Sequence, residues 1–154
     1  MNDEQVPVIK KALAYITHHN KLLVFEHPLS PEAGIQVPAG TVKSGESPED
    51  AVMREAQEET GLSIFKRGAF LGDYLKDMSE FGKQETHHRF FYHLTCTQEP
   101  PETWRYGEYD PSETDADYIP FDFYWVDLLD DVPNLAGEQG KMINKLLDYL
   151  SNII

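Results

Sequence analysis

A layered domain of α+β or α/β type is what this sequence predicts, and three observations predict it. Apolar runs of strand length recur from Lys11 to Leu128, one well-capped helix interrupts them after Ser47, and an apolar pattern of helical period closes the chain. At 154 residues, 40% hydrophobic and 12% aromatic, the chain is long enough to bury a real core as one domain spanning 1–154.

Taken in order, Lys11 to Thr17 and Lys21 to Phe25 read as strands joined by a His18-His19-Asn20 turn, a hairpin. Gly34 to Gly40 reads as a short strand leading into a loop. The next helix carries its own stops. Ser47 is a good N-cap, Pro48 suits the first helical position, and Asp50, three residues after the cap, completes a capping-box pattern. Glu49 and Asp50 place negative charge in the first turn, where the helix dipole favours it. Gly61 can take the left-handed conformation that ends a helix. Leu62 to Tyr74 then reads as a long or interrupted strand, and Thr86 to Thr95 as another. The polar stretch 97–117, with Pro100, Pro101, Pro111 and many acids, reads as a surface loop or insertion. Phe121 to Leu128 is a strand with four aromatics. A last helix is expected from about Asn134, carrying Met142, Ile143, Leu146, Leu147 and Leu150.

The chemistry concentrates on the first helix. Glu55, Glu58 and Glu59 stand at i, i+3 and i+4 and project from one face. Like charges so close repel, and an arbitrary E-x-x-E-E is usually a solvated acidic face. Hard cations such as magnesium or manganese use such carboxylates, leaving positions for water and substrate phosphate. Arg54 points about 100° round the helix from Glu55, close enough to reach a carboxylate from the side.

The stretch GTVKSGESPEDAVMREAQEETGL, Gly40 to Leu62, resembles the signature box of the Nudix hydrolases. The match runs Gly40, Glu46, Arg54-Glu55, Ala56, Glu58-Glu59, Gly61 and Leu62, with the family's spacing throughout. Ala56 departs mildly, because the family more often has a larger aliphatic residue there. The resemblance implies a mixed sheet sandwiched between helices, an α/β/α arrangement. It also implies hydrolysis of a nucleoside diphosphate linked to another group, by water attack on phosphorus. On this reading Glu55, Glu58 and Glu59, with the Ala39 carbonyl and Glu46 in a supporting position, hold Mg2+ or Mn2+, and Arg54 orients a carboxylate. Either Glu58 or a loop acid is the general base, and Glu113 is the choice for an additional catalytic carboxylate, with Glu138 a weaker rival. The alternative is a non-catalytic nucleotide-binding or regulatory module on the same fold. Ser63 to Ser79 lacks the proline that marks ADP-ribose enzymes, and Tyr74 falls short of the tyrosine position of dinucleoside polyphosphate enzymes.

Composition sets the remaining expectations. A net charge of −14 argues against a large nucleic-acid footprint but not against a small phosphorylated substrate, because bound cations invert local charge. No run approaches a membrane span, and the N-terminus lacks a signal-peptide core, so a cytoplasmic protein is expected. A homodimer is left open. Cys96 is the only cysteine and reads as a small buried hydrophobe; His18-His19 reads as a turn dipeptide, so no zinc site is expected. On the strand from Thr86, His87, Arg89, Phe91 and His93 alternate with His88, Phe90, Tyr92 and Leu94. The first set is either a wall of the substrate cleft or, by preference, a polar side facing water. Trp104, Tyr106 and Tyr109 are expected to pin the polar stretch to the body of the domain rather than to stack a base.

Overall fold

Apolar side chains on both sides of one strand organise the molecule, which is seen in a computed structural model that describes residues 6–109 and 118–152. Strand β1, Val8–His18, is buried continuously from Ala12 to Thr17. Ala12, Ala14 and Ile16 face one core, and Leu13 and Tyr15 face the other, as strand alternation requires. A strand with two apolar faces needs a layer on each side. Helix α1, Pro48–Thr60, supplies one with Ala51, Val52 and Ala56, and helix α2, Ile143–Asn152, the other with Leu146. Burying Leu146 contributes about 1.5–3 kcal/mol. The result is the layered α/β/α arrangement that the sequence predicts.

The remaining strands are β2 (Lys21–Glu26), β3 (Ala39–Thr41), β4 (Phe65–Asp77), β5 (Thr86–Cys96), β6 (Thr103–Tyr109) and β7 (Tyr118–Asp127). They form one mixed sheet in the order β4-β5-β1-β2-β7-β6, with β3 also against β1. Strands β1 and β5 run parallel, and the other pairings are antiparallel. The expected hairpin exists, but β1 and β2 pair only beside the turn, through Thr17 with Leu22 and His18 with Lys21. Farther along, β3 takes the same edge of β1, setting Ala12 opposite Gly40 and Leu13 opposite Ala39. That divergence carries the acidic helix to the far end of β1.

Four sequence expectations are corrected. Gly34 to Gly40 is not a strand: β3 starts only at Ala39, and Ile35 and Gln36 make isolated bridges to Leu135 and Phe25. Part of the 97–117 stretch is strand β6, an edge strand whose alternating side chains need one partner only, β7. The last helix begins at Ile143 rather than Asn134, because Gly137 and Glu138 take left-handed backbone angles (φ 59° and 65°) that an α-helix excludes. The side of β5 with His87, Arg89, Phe91 and His93 faces inward instead of toward water. Of the two readings of Leu62 to Tyr74, long or interrupted, β4 shows both: it runs from Phe65 to Asp77 with register shifts between Arg67 and Phe70 and between Phe70 and Gly72. Among the described residues no helix is long and apolar enough to cross a membrane.

Candidate active site

Helix α1 begins and ends where its sequence dictates. The Ser47 side chain accepts from the Asp50 amide at 3.1 Å, Pro48 opens the first turn, and Gly61 closes the helix in the left-handed region at φ 76°. The Asp50 carboxylate pairs with Arg67 at 2.5 Å. Ala56 is fully buried against the sheet, so a small residue there lets the helix lie close. The acidic face of α1 is thereby fixed over the loop from β3.

Arg54 is the hub of that face. Its Nε and Nη2 donate to the two oxygens of Glu46 at 2.8 and 3.0 Å, a bidentate fork. Nη1 donates to Glu55 at 2.7 Å and to Glu58 at 3.0 Å, and Nη2 also donates to the Thr41 carbonyl at 3.0 Å. The guanidinium therefore offsets the repulsion expected among these acids. The Arg54 hydrogen bonds, then the Lys43 amide at 3.0 Å, pull the Glu46 carboxyl down to about 2. Arg54 is in turn pushed up, chiefly by Glu46.

Glu55 lies directly against the backbone of Gly40, where a Cβ would stand 2.0 Å from its Cδ. Only glycine leaves room for that carboxylate. Glu59 is 7% exposed, and the Ala39 amide points to its Oε2 at 3.4 Å. Glu58 projects to solvent with its side chain 54% exposed. Thus Glu46, Glu55 and Glu58 meet on Arg54, while Glu59 meets the strand. The oxygens of Glu55, Glu58 and Glu59 do not all lie within 4.8 Å of one another. Even so, the donors are all oxygen, and a cradle made by a missing Cβ seats the central one; the set fits a hard divalent cation.

Beside Gly40 opens a cleft of about 180 Å3 whose lining includes Lys11, Ala39, His87, Arg89 and Gln139. Lys11 and Arg89 make part of that lining cationic, and the Lys11 ammonium donates to the Thr41 hydroxyl at 2.7 Å, beside Gly40. Parallel pairing sets Lys11 in register with Arg89, and Lys11 lies close enough to feel the charges of Lys83, Glu85, Glu55 and Arg89. Burial first, and then Lys83, hold the Lys11 ammonium below its usual range. Arg89 is 9% exposed, and its Nη1 donates to the Tyr74 hydroxyl at 3.1 Å and to the Gly137 carbonyl. Gln139 is anchored by the Val37 amide, which donates to its Oε1 at 2.8 Å, and by Tyr15, whose hydroxyl donates to its carbonyl. A larger hollow of about 510 Å3 runs between Val132 and Ile143 but takes no residue from α1 or β3.

Lys11 and Gln139 are the residues that sequence reading missed. Neither lies in a motif, and only strand register could have pointed to Lys11. Among the late acids, Glu138 is held by Lys76 at 2.9 Å. Glu113, Asp115 and Asp117 lie outside the described residues. The aromatics of β6 pin it as expected where described: Trp104 donates to the Thr60 carbonyl at 2.9 Å and stacks on Phe123, and Tyr106 packs on Gly61.

Comparison with known proteins bears on the same residues. The family model of the NUDIX domain matches residues 10–146. A protein of Lactococcus lactis subsp. cremoris named as a probable DHNTP pyrophosphohydrolase is 34% identical over 95 residues, which are 59% of this chain and 56% of that protein. The match thus spans little more than half the length of that relative. Among solved structures, a MutT NUDIX hydrolase from Burkholderia pseudomallei superposes with a TM-score of 0.65 at 21% identity, covering 90% of this chain and 98% of that one. The E. coli ORF135 protein gives 0.65 at 18% identity, with 96% and 94% covered. These likenesses in structure show a shared fold, and the family model, spanning most of the chain and the whole acidic helix, shows that the chain belongs to the Nudix family.

Proposed function

We propose that this chain is a metal-dependent pyrophosphohydrolase that cleaves a nucleoside diphosphate linked to another group, by water attack on phosphorus. The observation that carries the reading is the Glu55 carboxylate, seated in the Gly40 cradle between Arg54 and a cleft walled by Lys11 and Arg89. A diphosphate resists attack because its oxygens repel a nucleophile, so a site for it must neutralise charge without itself reacting. Glu55, Glu58 and Glu59, with the Ala39 carbonyl, would hold magnesium or manganese, which supplies Lewis-acid neutralisation when bound. Lys11 and Arg89, in the lining of the same cleft, bind phosphate oxygens, which lets a chain of net charge −14 take a polyanion. Arg54 sets the orientation of Glu55 and Glu58. Glu46, with both oxygens on Arg54, anchors that arginine and is a support rather than a ligand. Glu58, the most exposed of the three, accepts the proton of the attacking water. Glu113 is the candidate for a further carboxylate.

The test is phosphate or pyrophosphate release from nucleoside triphosphates, nucleotide sugars, ADP-ribose and dinucleoside polyphosphates, with magnesium, manganese or a chelator. A DHNTP substrate joins the panel because the Lactococcus relative carries that name. Turnover is expected only with metal, and Glu59→Gln is expected to lower it by on the order of a hundredfold or more. A wild-type protein silent on the whole panel would sink the enzyme reading and leave a nucleotide-binding module.

A further inference from the structure

The His18-His19 turn gains, in the folded chain, a companion that the sequence does not suggest. Residues His18 and His19 close the β1–β2 hairpin, and Glu99 arrives from the loop after β5. The Nε2 of His18 lies 3.0 Å from Glu99 Oε2, and the Nε2 of His19 lies 3.9 Å from the same oxygen. One ligand atom from each of the three falls within 4.8 Å of the others. Zinc takes imidazole nitrogen at about 2.0–2.1 Å and carboxylate oxygen at about 2.0–2.2 Å, so tetrahedral neighbours stand roughly 3.3–3.5 Å apart. The separations of 3.0 and 3.9 Å fall on either side of that range.

The surroundings hold the cluster at a fixed point. It borders a hollow of about 130 Å3 whose walls include Pro100, Pro101 and Trp125, with the charges of Lys21 and Glu102 offsetting each other in the same lining. The Trp125 indole donates to the Pro101 carbonyl at 2.9 Å, and its ring centroid is 6.1 Å from that of His18. His19 is held at φ 49° by the tight turn, so its ring does not swing with a free backbone. Both His19 and Glu99 are 78% exposed at the side chain, which leaves the remaining coordination positions to water.

We propose that His18, His19 and Glu99 form a second cation site, selective for a borderline transition metal such as Zn2+, which clips the β5–β6 connection to the β1–β2 hairpin. Two nitrogens and one oxygen suit zinc and reject magnesium, which demands oxygen ligands. The site stands five strand residues from Leu13, the partner of Ala39, or roughly 16 Å along β1. It is therefore separate in place and in ligand chemistry from the carboxylates of α1.

Calorimetric titration of the whole chain with Zn2+, in magnesium sufficient to saturate the α1 carboxylates, tests this directly. Wild type is expected to bind one equivalent of zinc that magnesium does not displace, and to melt at a higher temperature with it. His19→Asn, which tolerates the left-handed turn, and Glu99→Gln are each expected to weaken that equivalent by on the order of tenfold or more. Their circular dichroism and magnesium-dependent melting should match wild type, because both side chains are largely exposed. Titration with Ni2+ should quench Trp125 fluorescence in wild type and lose that quenching in both variants. Absence of a zinc equivalent in wild type would overturn the proposal, and so would variants that bind zinc as tightly as wild type does.

Discussion

On α1, one arginine meets three carboxylates at 2.7–3.0 Å, at the rim of the molecule, where water reaches Glu58 freely. On the inner face of β5, His93 is 2% exposed, shares a 2.6 Å hydrogen bond with Thr17, and leaves its Nδ1 without a partner among the described residues. Both regions set ionisable groups against the same sheet. The first sets charge against charge, and hydrogen bonds from Arg54 hold the Glu46 carboxyl down to about 2; the second removes water and holds the imidazole neutral, with burial pulling it down to about 4. The proposed metal site is thus built from paired groups near the rim, and a scaffold position by desolvation.

The largest effect expected from breaking this contrast is at Gly40. Gly40→Ala adds a Cβ 2.0 Å from the Glu55 carboxyl carbon and drives that carboxylate from its cradle. A displacement near 1 Å at a reacting centre costs on the order of a hundredfold in rate. Turnover should fall by that amount, while the melting temperature in the absence of metal changes little, since the group displaced is the carboxyl end of a flexible side chain and Arg54 keeps its bonds to Glu46 and the Thr41 carbonyl. A variant with unchanged kcat/KM would show that the cradle has no part in the chemistry.

Next in size is the acid response of His93. Its folded pKa, about 4, lies below the ordinary value of 6.5, so below pH 6.5 the unfolded chain binds the proton more readily. The stabilisation is complete above pH 6.5 and is lost as pH falls toward 4, amounting to about 3 kcal/mol. Glu46 behaves differently in window though not in sign: its folded pKa, about 2, lies below the ordinary 4.5, so its share disappears only from pH 4.5 downward. Urea unfolding followed between pH 7 and 4.5 covers the imidazole window, which His93 shares with His27, also held below its usual range by burial; the variant assigns the His93 part. His93→Gln should flatten that slope. A slope unchanged in the variant would assign the acid sensitivity elsewhere.

The same contrast explains what was legible. Everything on α1 follows from neighbours in sequence: the cap at Ser47, the stop at Gly61, and three acids with an arginine within two turns. Helical periodicity alone brings Arg54 and Glu58 together, four residues apart, and keeps Glu55 within side-chain reach, so the box could be read before any fold was known. The β5 face could not be read in this way. Alternation separates His87, Arg89 and His93 from their neighbours, but it does not say which side meets α2, and the polar side was the natural one to give to water. Lys11 joins the cleft only because β1 and β5 run parallel in the register that sets it beside Arg89. Strand β6 was hidden for another reason: prolines and acids on both flanks outweigh seven residues of modest alternation. Helix α2 starts after Asn134 because Gly137 and Glu138 take left-handed angles, which the apolar spacing from Met142 to Leu150 does not announce.

The smallest expected effect sharpens the contrast most, because it separates the helix from its charges. Ser47→Ala removes the acceptor that holds the Asp50 amide at 3.1 Å and should cost about 1 kcal/mol, while Ser47→Gly should cost only a few tenths. For a chain of this length, 1 kcal/mol lowers the melting temperature by roughly 2–4 °C. The lost cap frays the turn from Pro48 to Asp50, whereas Glu55, Glu58 and Glu59 sit in the later turns, the first two fastened through Arg54 to Glu46 and to the Thr41 carbonyl and the third against the Ala39 amide. Turnover at 25 °C should therefore be unchanged in Ser47→Ala although the protein melts earlier. If activity fell in step with stability, the Arg54 network would depend on the first turn of α1. The contrast with β5 would then dissolve, since both regions would owe their geometry to the fold around them rather than to the charges they hold.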